Sequence, residues 1–390
     1  MKEQNNPAYT LQQLILYFLK LGTTGFGGPV ALVGYMHKDL VENRKWIEEE
    51  DFKQGLALAQ LAPGPLAAQL CIYLGFVHYR LLGATLVGIA FVVPSFILVV
   101  LLGMAYKLFG GIAWMQAVFY GVGAAVIGII ANSSYKLTIK SIGKFNVESF
   151  KQNWLLWFFF VSAASLTFFT KQEQVLLFVA AGLIYMYVKA PPKWLSKTTA
   201  NSFILLQIGF WNYENDKLIK IAIFFAKAGA FVFGSGLAIV PFLHAGVVTE
   251  NHWLSEQQFV DAVAVAMITP GPVVITVGFI GYLVAGFPGA SVAALATFLP
   301  CYLLTVIPAP YFKSIAKNES IKAFVSGITA AVVGALVGAV VVIATRSIID
   351  VATGIIAIAS ILALLYFKKI QEPHIIAIAA MLGIIIKLIL

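Results

Sequence analysis

The chain has 390 residues, of which 60% are hydrophobic and 11% charged, with a net charge of +9. A soluble domain carries roughly 25% charged residues, and several apolar runs here exceed the roughly 20 residues that cross the hydrocarbon core of a bilayer. Composition therefore excludes a soluble fold. The basic excess sits mostly in short loops between apolar runs, as the positive-inside rule expects, so nucleic acid is excluded as a partner.

The first apolar run begins at Leu11, holds Lys20 and lacks a small-residue cleavage site, so it reads as part of the mature chain. Segment 10–36 is expected to cross inward to a cytoplasmic loop, 37–53, which holds Lys38, Arg44, Lys45 and Lys53. Segment 54–79 contains Pro63-Gly64-Pro65 and is expected to be a re-entrant hairpin leaving near Arg80. A full crossing would put Lys136, Lys140, Lys144 and Lys151 outside. Spans follow at 81–106, 112–135, 153–170 and 174–189. The linker, 190–216, opens on Pro191-Pro192 and carries "FILLQIGFWNY", too short to span. The second half then runs 217–241, a hairpin at 259–285, and spans at 288–312, 322–345, 348–367 and 374–390. The expected fold class is an all-α polytopic membrane protein, with ten spans, two Pro-Gly-Pro hairpins and both termini outside.

The halves, 1–189 and 217–390, are one design used twice. "FLKLGTTGFGGPVALVGYMH" from Phe18 aligns with "FAKAGAFVFGSGLAIVPFLH" from Phe225 at a shift of 207 residues, pairing Lys20 with Lys227 and His37 with His244. The same shift pairs Trp46 with Trp253, Glu49 with Glu256, and Pro63-Gly64-Pro65 with Pro270-Gly271-Pro272. After a one-residue deletion, Pro94 pairs with Pro300, and "GVGAAVIG" from Gly121 with "GITAAVVG" from Gly327. The loop after His37 is basic while its partner after His244 has no Lys or Arg. The bias reverses at the junctions near Lys107 and Lys313. That reversal is what an inverted repeat predicts.

Proline and glycine inside an apolar run break the helix, and freed backbone survives at membrane depth only inside protein or beside a watery cavity. The half-helix after each break presents free N–H groups and a positive dipole end, an anion site of the kind transporters build near the midplane. Candidate binding residues are therefore Gly27, Gly28, Pro29, Pro63, Gly64 and Pro65, with Gly234, Ser235, Gly236, Pro270, Gly271 and Pro272 in the second half. Gln60, Gln69, Thr269 and Thr276 are neighbouring polar groups that could donate hydrogen bonds. Lys20 and Lys227 each lie about 15 Å into their segments. A lysine at such depth costs about 2.5–3.5 kcal/mol on insertion scales and faces a cavity or a partner, so both are read as cationic site residues. No Asp or Glu lies between Gln54 and Val147 or between Ala262 and Asn318. Glu49, Glu256, Asp261, His37 and His244 fall near loop ends and read as solvated. The glycines of "GVGAAVIG" and "GITAAVVG" read as close helix packing. Cys71 and Cys301 read as core residues, without a disulfide or metal pattern.

There is no Walker A sequence, dinucleotide fingerprint, H-E-x-x-H or nucleophile elbow, so no enzyme, cofactor or metal is expected. The stretches "FGGPVALVGYMHKDLVENRKWIEEEDF", "LALAQLAPGPLAAQLCIYLGF", "FGSGLAIVPFLH" and "VAVAMITPGPVVITVGFIGY" are similar to those of the chromate ion transporter family in its long two-domain form. The resemblance covers nearly the whole chain. It implies an inner-membrane secondary transporter that exports chromate, gives chromate resistance and exchanges protons. Part of that family has Glu just after Pro-Gly-Pro; here those positions are Leu66 and Val273. The expected partners are chromate or sulfate as substrate, the lipid bilayer and a second copy in a homodimer. A sulfate or other oxyanion carrier and a passive anion channel are the alternatives.

Overall fold

The computed structural model describes residues 9–26, 28–171, 175–192, 216–232, 236–312, 318–367 and 370–389. Gly27, Gly234, Ser235 and "FILLQIGFWNY" lie outside the described residues. Among the described residues there are fifteen α-helices and no strand. Four stretches are long and apolar enough to cross a membrane, Leu66–Phe109, Ala113–Ser141, Val273–Tyr311 and Glu319–Ser347. The fold is that of a polytopic membrane protein.

Helix α1 (Leu11–Thr24) starts at a capping box between Thr10 and Gln13 and ends at Gly25. Helix α2 (Gly28–Met36) begins on a glycine at φ +74° and runs into a π-helical turn, His37–Asn43. Segment 10–36, expected to cross as one span, is instead a hairpin about this glycine-rich break. The Tyr17 hydroxyl donates to Tyr35 O at 3.4 Å, and the rings of Tyr9 and Trp46 stack with centroids 4.9 Å apart. In one straight helix those rings would stand ~55 Å apart. The fold-back recurs after α9 (Lys217–Ala230). Phe224 stacks at 5.5 Å on Phe242 of α10 (Val240–His244) and meets Trp253 edge-on at 5.7 Å.

Helix α3 (Glu49–Leu61) and helix α4 (Leu66–Phe109) are separated by Pro63-Gly64-Pro65. Their arms run antiparallel, since a Cβ on Gly55 would overlap the Tyr73 ring and lie 3.1 Å from Leu70. Helix α4 turns back at Arg80 (φ 52°, ψ −141°), so that the backbones of Gly75 and Gly83 touch. Thus 66–79 completes a hairpin, as expected, and 81–109 is the long crossing. In the second half, α11 (Glu256–Ile268) and α12 (Thr276–Val306) repeat the plan, with a bend at Ala285-Gly286 and a Gly281–Gly289 contact.

The outer ends of the two hairpin sets lie at opposite ends of the bundle. The far end of α4 reaches the second set: the Tyr106 hydroxyl donates to Asp261 Oδ2 at 2.7 Å, and Lys107 Nζ lies 5.3 Å from the Tyr282 ring centre. Just past the Arg80 bend, Thr85 Oγ1 is 2.7 Å from the Tyr302 hydroxyl near the end of α12.

The remaining helices are α5 (Ala113–Ser141), α6 (Val147–Gln152), α7 (Trp154–Thr170), α8 (Val175–Lys189), α13 (Glu319–Ser347), α14 (Val351–Tyr366) and α15 (Glu372–Ile384). They are exchanged between the halves: α7 and α8 pack on α13, while α14 and α15 pack on α5. Small residues permit the approach. Gly121 faces Ala379 and Gly383, Gly128 faces Ala357 and Ser360, and Gly327 and Gly334 face Ala181 and Phe160. This is the packing role expected of the two glycine-bearing octapeptides.

Candidate functional site

The sequence breaks four helices, and the fold brings the breaks together. The amide of Gly64 donates to Val232 O, just past α9, at 2.5 Å, and the amide of Gly271 donates to Gly25 O, just past α1, at 2.9 Å. These bonds are equivalents under the 207-residue shift, because 64 + 207 = 271 and 25 + 207 = 232. Each Pro-Gly-Pro turn thus seats on the end of the first helix of the other half. Within the second half, a Cβ on Gly236 would lie 3.4 Å from Val273 Cβ and 3.6 Å from Val274 N, so the two breaks there also meet.

The two glycine amides are occupied by carbonyls and are not free donors. Both glycines supply shape: Gly64 has φ +144° and Gly271 φ +91°, in the region that favours glycine. The free donors come one step later. Helix α4 starts at Leu66, after the N-cap residue Pro65, with no side chain capping it. The amides of Leu66, Ala67 and Ala68 find no acceptor among the described residues, although all three residues are buried. A buried, uncapped helix start at the positive end of its dipole is a site for negative charge. Leu66 occupies the place where a carboxylate would oppose that field.

The expected polar groups divide. Gln69 is fully buried and its Nε2 donates to Pro63 O at 2.8 Å. Thr269 and Thr276 are buried, but their hydroxyls donate to Ala266 O and Val273 O, each at 3.0 Å. Gln60 is exposed on the last turn of α3. Pro65, Pro270 and Pro272 are buried, Pro29 and Pro63 half-buried. Gly28 has open space where a Cβ would stand. Lys20 and Lys227 lie on the exposed faces of α1 and α9, not among the buried residues of the breaks. Lys20 shares its exposed face with Gln12, Gln13, Thr23 and Thr24 and with the apolar Leu16 and Leu19.

Ser95 is a site residue that sequence reasoning missed. It is fully buried and its hydroxyl donates to Pro270 O at 2.7 Å, tying α4 to the opposite Pro-Gly-Pro. Its equivalent is Cys301, whose Sγ would lie 3.0 Å from a Cβ on Gly64. The signal was present, since both residues directly follow the aligned pair Pro94 and Pro300.

Two groups expected to be solvated are buried. His244 and Asp261 are each 2% exposed. His244 Nε2 lies 2.7 Å from Glu256 Oε2, and Glu256 also pairs with Arg346. Asp261 accepts from Tyr106 and, at 2.8 Å, from Gln257 Nε2. The equivalent first-half pair, His37 Nε2 and Glu49 Oε2 at 2.9 Å, is more exposed and joined by Glu42 and Lys53. There, His37 and Lys53 hold the Glu49 carboxyl below its ordinary range. Among the described residues, no group of three His, Cys, Asp or Glu is placed to hold a metal ion.

No solved structure matches the chain. It is 62% identical to the chromate transport protein of Cupriavidus metallidurans, over 97% of this chain and 94% of that one. It is 58% identical to the probable chromate transport protein of Synechococcus elongatus, over 97% and 96%. Against the chromate transport protein of Pseudomonas aeruginosa it is 29% identical, over 93% and 89%. The family described as chromate transporter matches residues 12–186 and 219–384, and the chain belongs to that family.

Proposed function

We propose that this protein is a secondary carrier of chromate across the inner (plasma) membrane, working as an exporter that confers chromate resistance. The observation that carries the reading is the meeting of broken helices around Gly64 and Gly271, with uncapped buried amides at the start of α4. A tetrahedral oxyanion satisfies several such N–H groups at once, and the positive helix end stabilises its charge. The relatives named above as chromate transport proteins support chromate as the oxyanion.

The halves, 1–189 and 217–390 joined by the linker 190–216, act as inverted repeats about an axis in the membrane plane, so that the same breaks serve both faces in alternating access. The reciprocal bonds at Gly64 and Gly271 and the opposed hairpin ends support this arrangement. Lys20 and Lys227 supply positive charge along the path into the site. Gly27, Gly28, Gly234, Ser235 and Gly236 lend backbone amides to it. With no carboxylate after either Pro-Gly-Pro, proton exchange runs through the buried Asp261 or the His–Glu pairs. The working unit is a homodimer in the bilayer.

The test is uptake of labelled chromate and sulfate by proteoliposomes, with and without a proton gradient. Lys20→Met and Lys227→Met should each abolish chromate uptake while the protein remains folded. Gradient-independent equilibration of chromate would identify a passive channel, and sulfate uptake without chromate uptake would identify a different substrate. Wild-type uptake in both lysine variants would remove the lysines from the path.

A further inference from the structure

Gln69 directly follows the three uncapped amides on α4, and it is 0% exposed. The amide plane lies over the Pro-Gly-Pro turn. A Cβ on Gly64 would fall 2.7 Å from both Gln69 Cδ and Nε2, and Nε2 donates to Pro63 O at 2.8 Å. That bond fixes the orientation, because the flipped amide would set its oxygen against the Pro63 carbonyl. The oxygen that remains, Oε1, is buried and has no donor among the described residues. A buried acceptor without a donor is uncommon in a folded protein and calls for an explanation.

The site therefore offers three backbone N–H donors and one side-chain acceptor, beside the Gln69 amide nitrogen that holds Pro63 O. A fully deprotonated tetrahedral dianion has acceptors only. It satisfies the amides and turns an oxygen lone pair toward Oε1. The singly protonated anion carries one O–H, which matches the fourth group. Thr276, the equivalent of Gln69 in the second half, spends its hydroxyl on Val273 O, so the acceptor belongs to one half alone. We propose that Gln69 makes the site select the singly protonated oxyanion, hydrogen chromate, and reject sulfate. Chromate takes up its first proton close to neutral pH, whereas sulfate does so only in strong acid. The two dianions share a shape and a charge, and an acceptor placed against the missing proton separates them. This inference rests on the oxyanion reading of the breaks.

The elements packed along α4, from the Gln69 end to the far end at Tyr106, carry titratable groups of their own. They include Lys20 on α1, His37 after α2, Asp51 on α3, Cys71 on α4, Cys301 on α12 and Asp261 on α11. Sulfate stays a dianion throughout and reports their effect, so the informative quantity is the ratio of chromate to sulfate affinity. Calorimetry on the purified full-length protein, at several pH values above chromate's protonation, measures it. In the wild type the ratio should rise about tenfold for each unit of falling pH, following the protonated share of chromate. In Gln69→Met, chromate affinity should fall about tenfold or more as the hydrogen bond is lost, with sulfate affinity unchanged or higher and the slope flattened. A wild-type ratio independent of pH, which needs no variant to measure, overturns the inference. So does a Gln69→Met protein that keeps the wild-type ratio and slope, which would mean that Oε1 holds water only. Failure of the wild type to bind either anion overturns the oxyanion reading itself, and this inference with it.

Discussion

Gly271→Ala probes the contact between the halves directly. The residue has φ +91°, and an added Cβ would overlap Ser95 Oγ while standing 3.2 Å from Ser95 Cβ. Holding alanine in a left-handed conformation costs about 1–2 kcal/mol. Overpacking a filled interior adds about 1–3 kcal/mol, so the single substitution should destabilise by about 2–5 kcal/mol. Ser95→Ala alone removes one buried hydrogen bond, to Pro270 O, for about 1 kcal/mol. In the double variant the overlapping oxygen is gone and only the backbone strain and the lost hydrogen bond remain, about 2–3 kcal/mol. The two substitutions should therefore couple favourably by about 1–3 kcal/mol. Reversible unfolding of the four proteins in mixed micelles, followed by tryptophan fluorescence, gives the cycle. Additivity within about 0.5 kcal/mol would show that Gly271 does not pack on Ser95 and would refute the seating of one half on the other.

Cysteines placed at Lys45 and His252, equivalent exposed positions with φ of 52° and 50°, should react with impermeant reagents from opposite faces of the membrane; labelling from one face would sink the inverted arrangement. Tyr106→Phe removes one of two donors from the buried Asp261 and should lower stability by about 1–3 kcal/mol in the same micelle assay, with no change pointing to a water in its place. Glu49, held below the ordinary carboxylate value of 4.5 by His37 and Lys53, contributes its full stabilisation above that value. The contribution is lost as pH falls through the depressed value. Thermal unfolding of Glu49→Gln should therefore be less acid-sensitive than wild type below about pH 4.5, and parallel curves would disprove the pairing.

The breaks were legible because proline and glycine act locally. Pro63-Gly64-Pro65 and Pro270-Gly271-Pro272 interrupt helices wherever they stand, and the 207-residue shift marked them as one feature used twice. Direction after a break was not legible. Segment 10–36 has the length and apolarity of a span, and nothing local distinguishes a kink from a reversal; contacts such as Tyr9 on Trp46 decide it. The partners of the small residues were equally hidden. Gly121 and Gly128 announce a close helix neighbour but not that it comes from the other half. The burial of His244 and Asp261 was not legible, because nearness to a loop in sequence does not determine exposure. The fold covers the loop end with Arg346 in one case and Tyr106 in the other. Ser95 has no charge to mark it, and only its place after the repeated proline, Pro94 with Pro300, sets it apart in the sequence.

The exchange of helices between the halves has a consequence for the order of synthesis. The small-residue face of α5 around Gly121 finds its partner only at Ala379, 379 − 121 = 258 residues later. At about 5–20 residues per second, the ribosome leaves that face unmatched for roughly 13–50 s. During that interval the glycines of α5 lack the second-half helices on which they pack in the finished fold. A nascent chain stalled after the linker would expose this same groove. Surveillance proteases and insertion chaperones would meet the protein at that point, well before any oxyanion does.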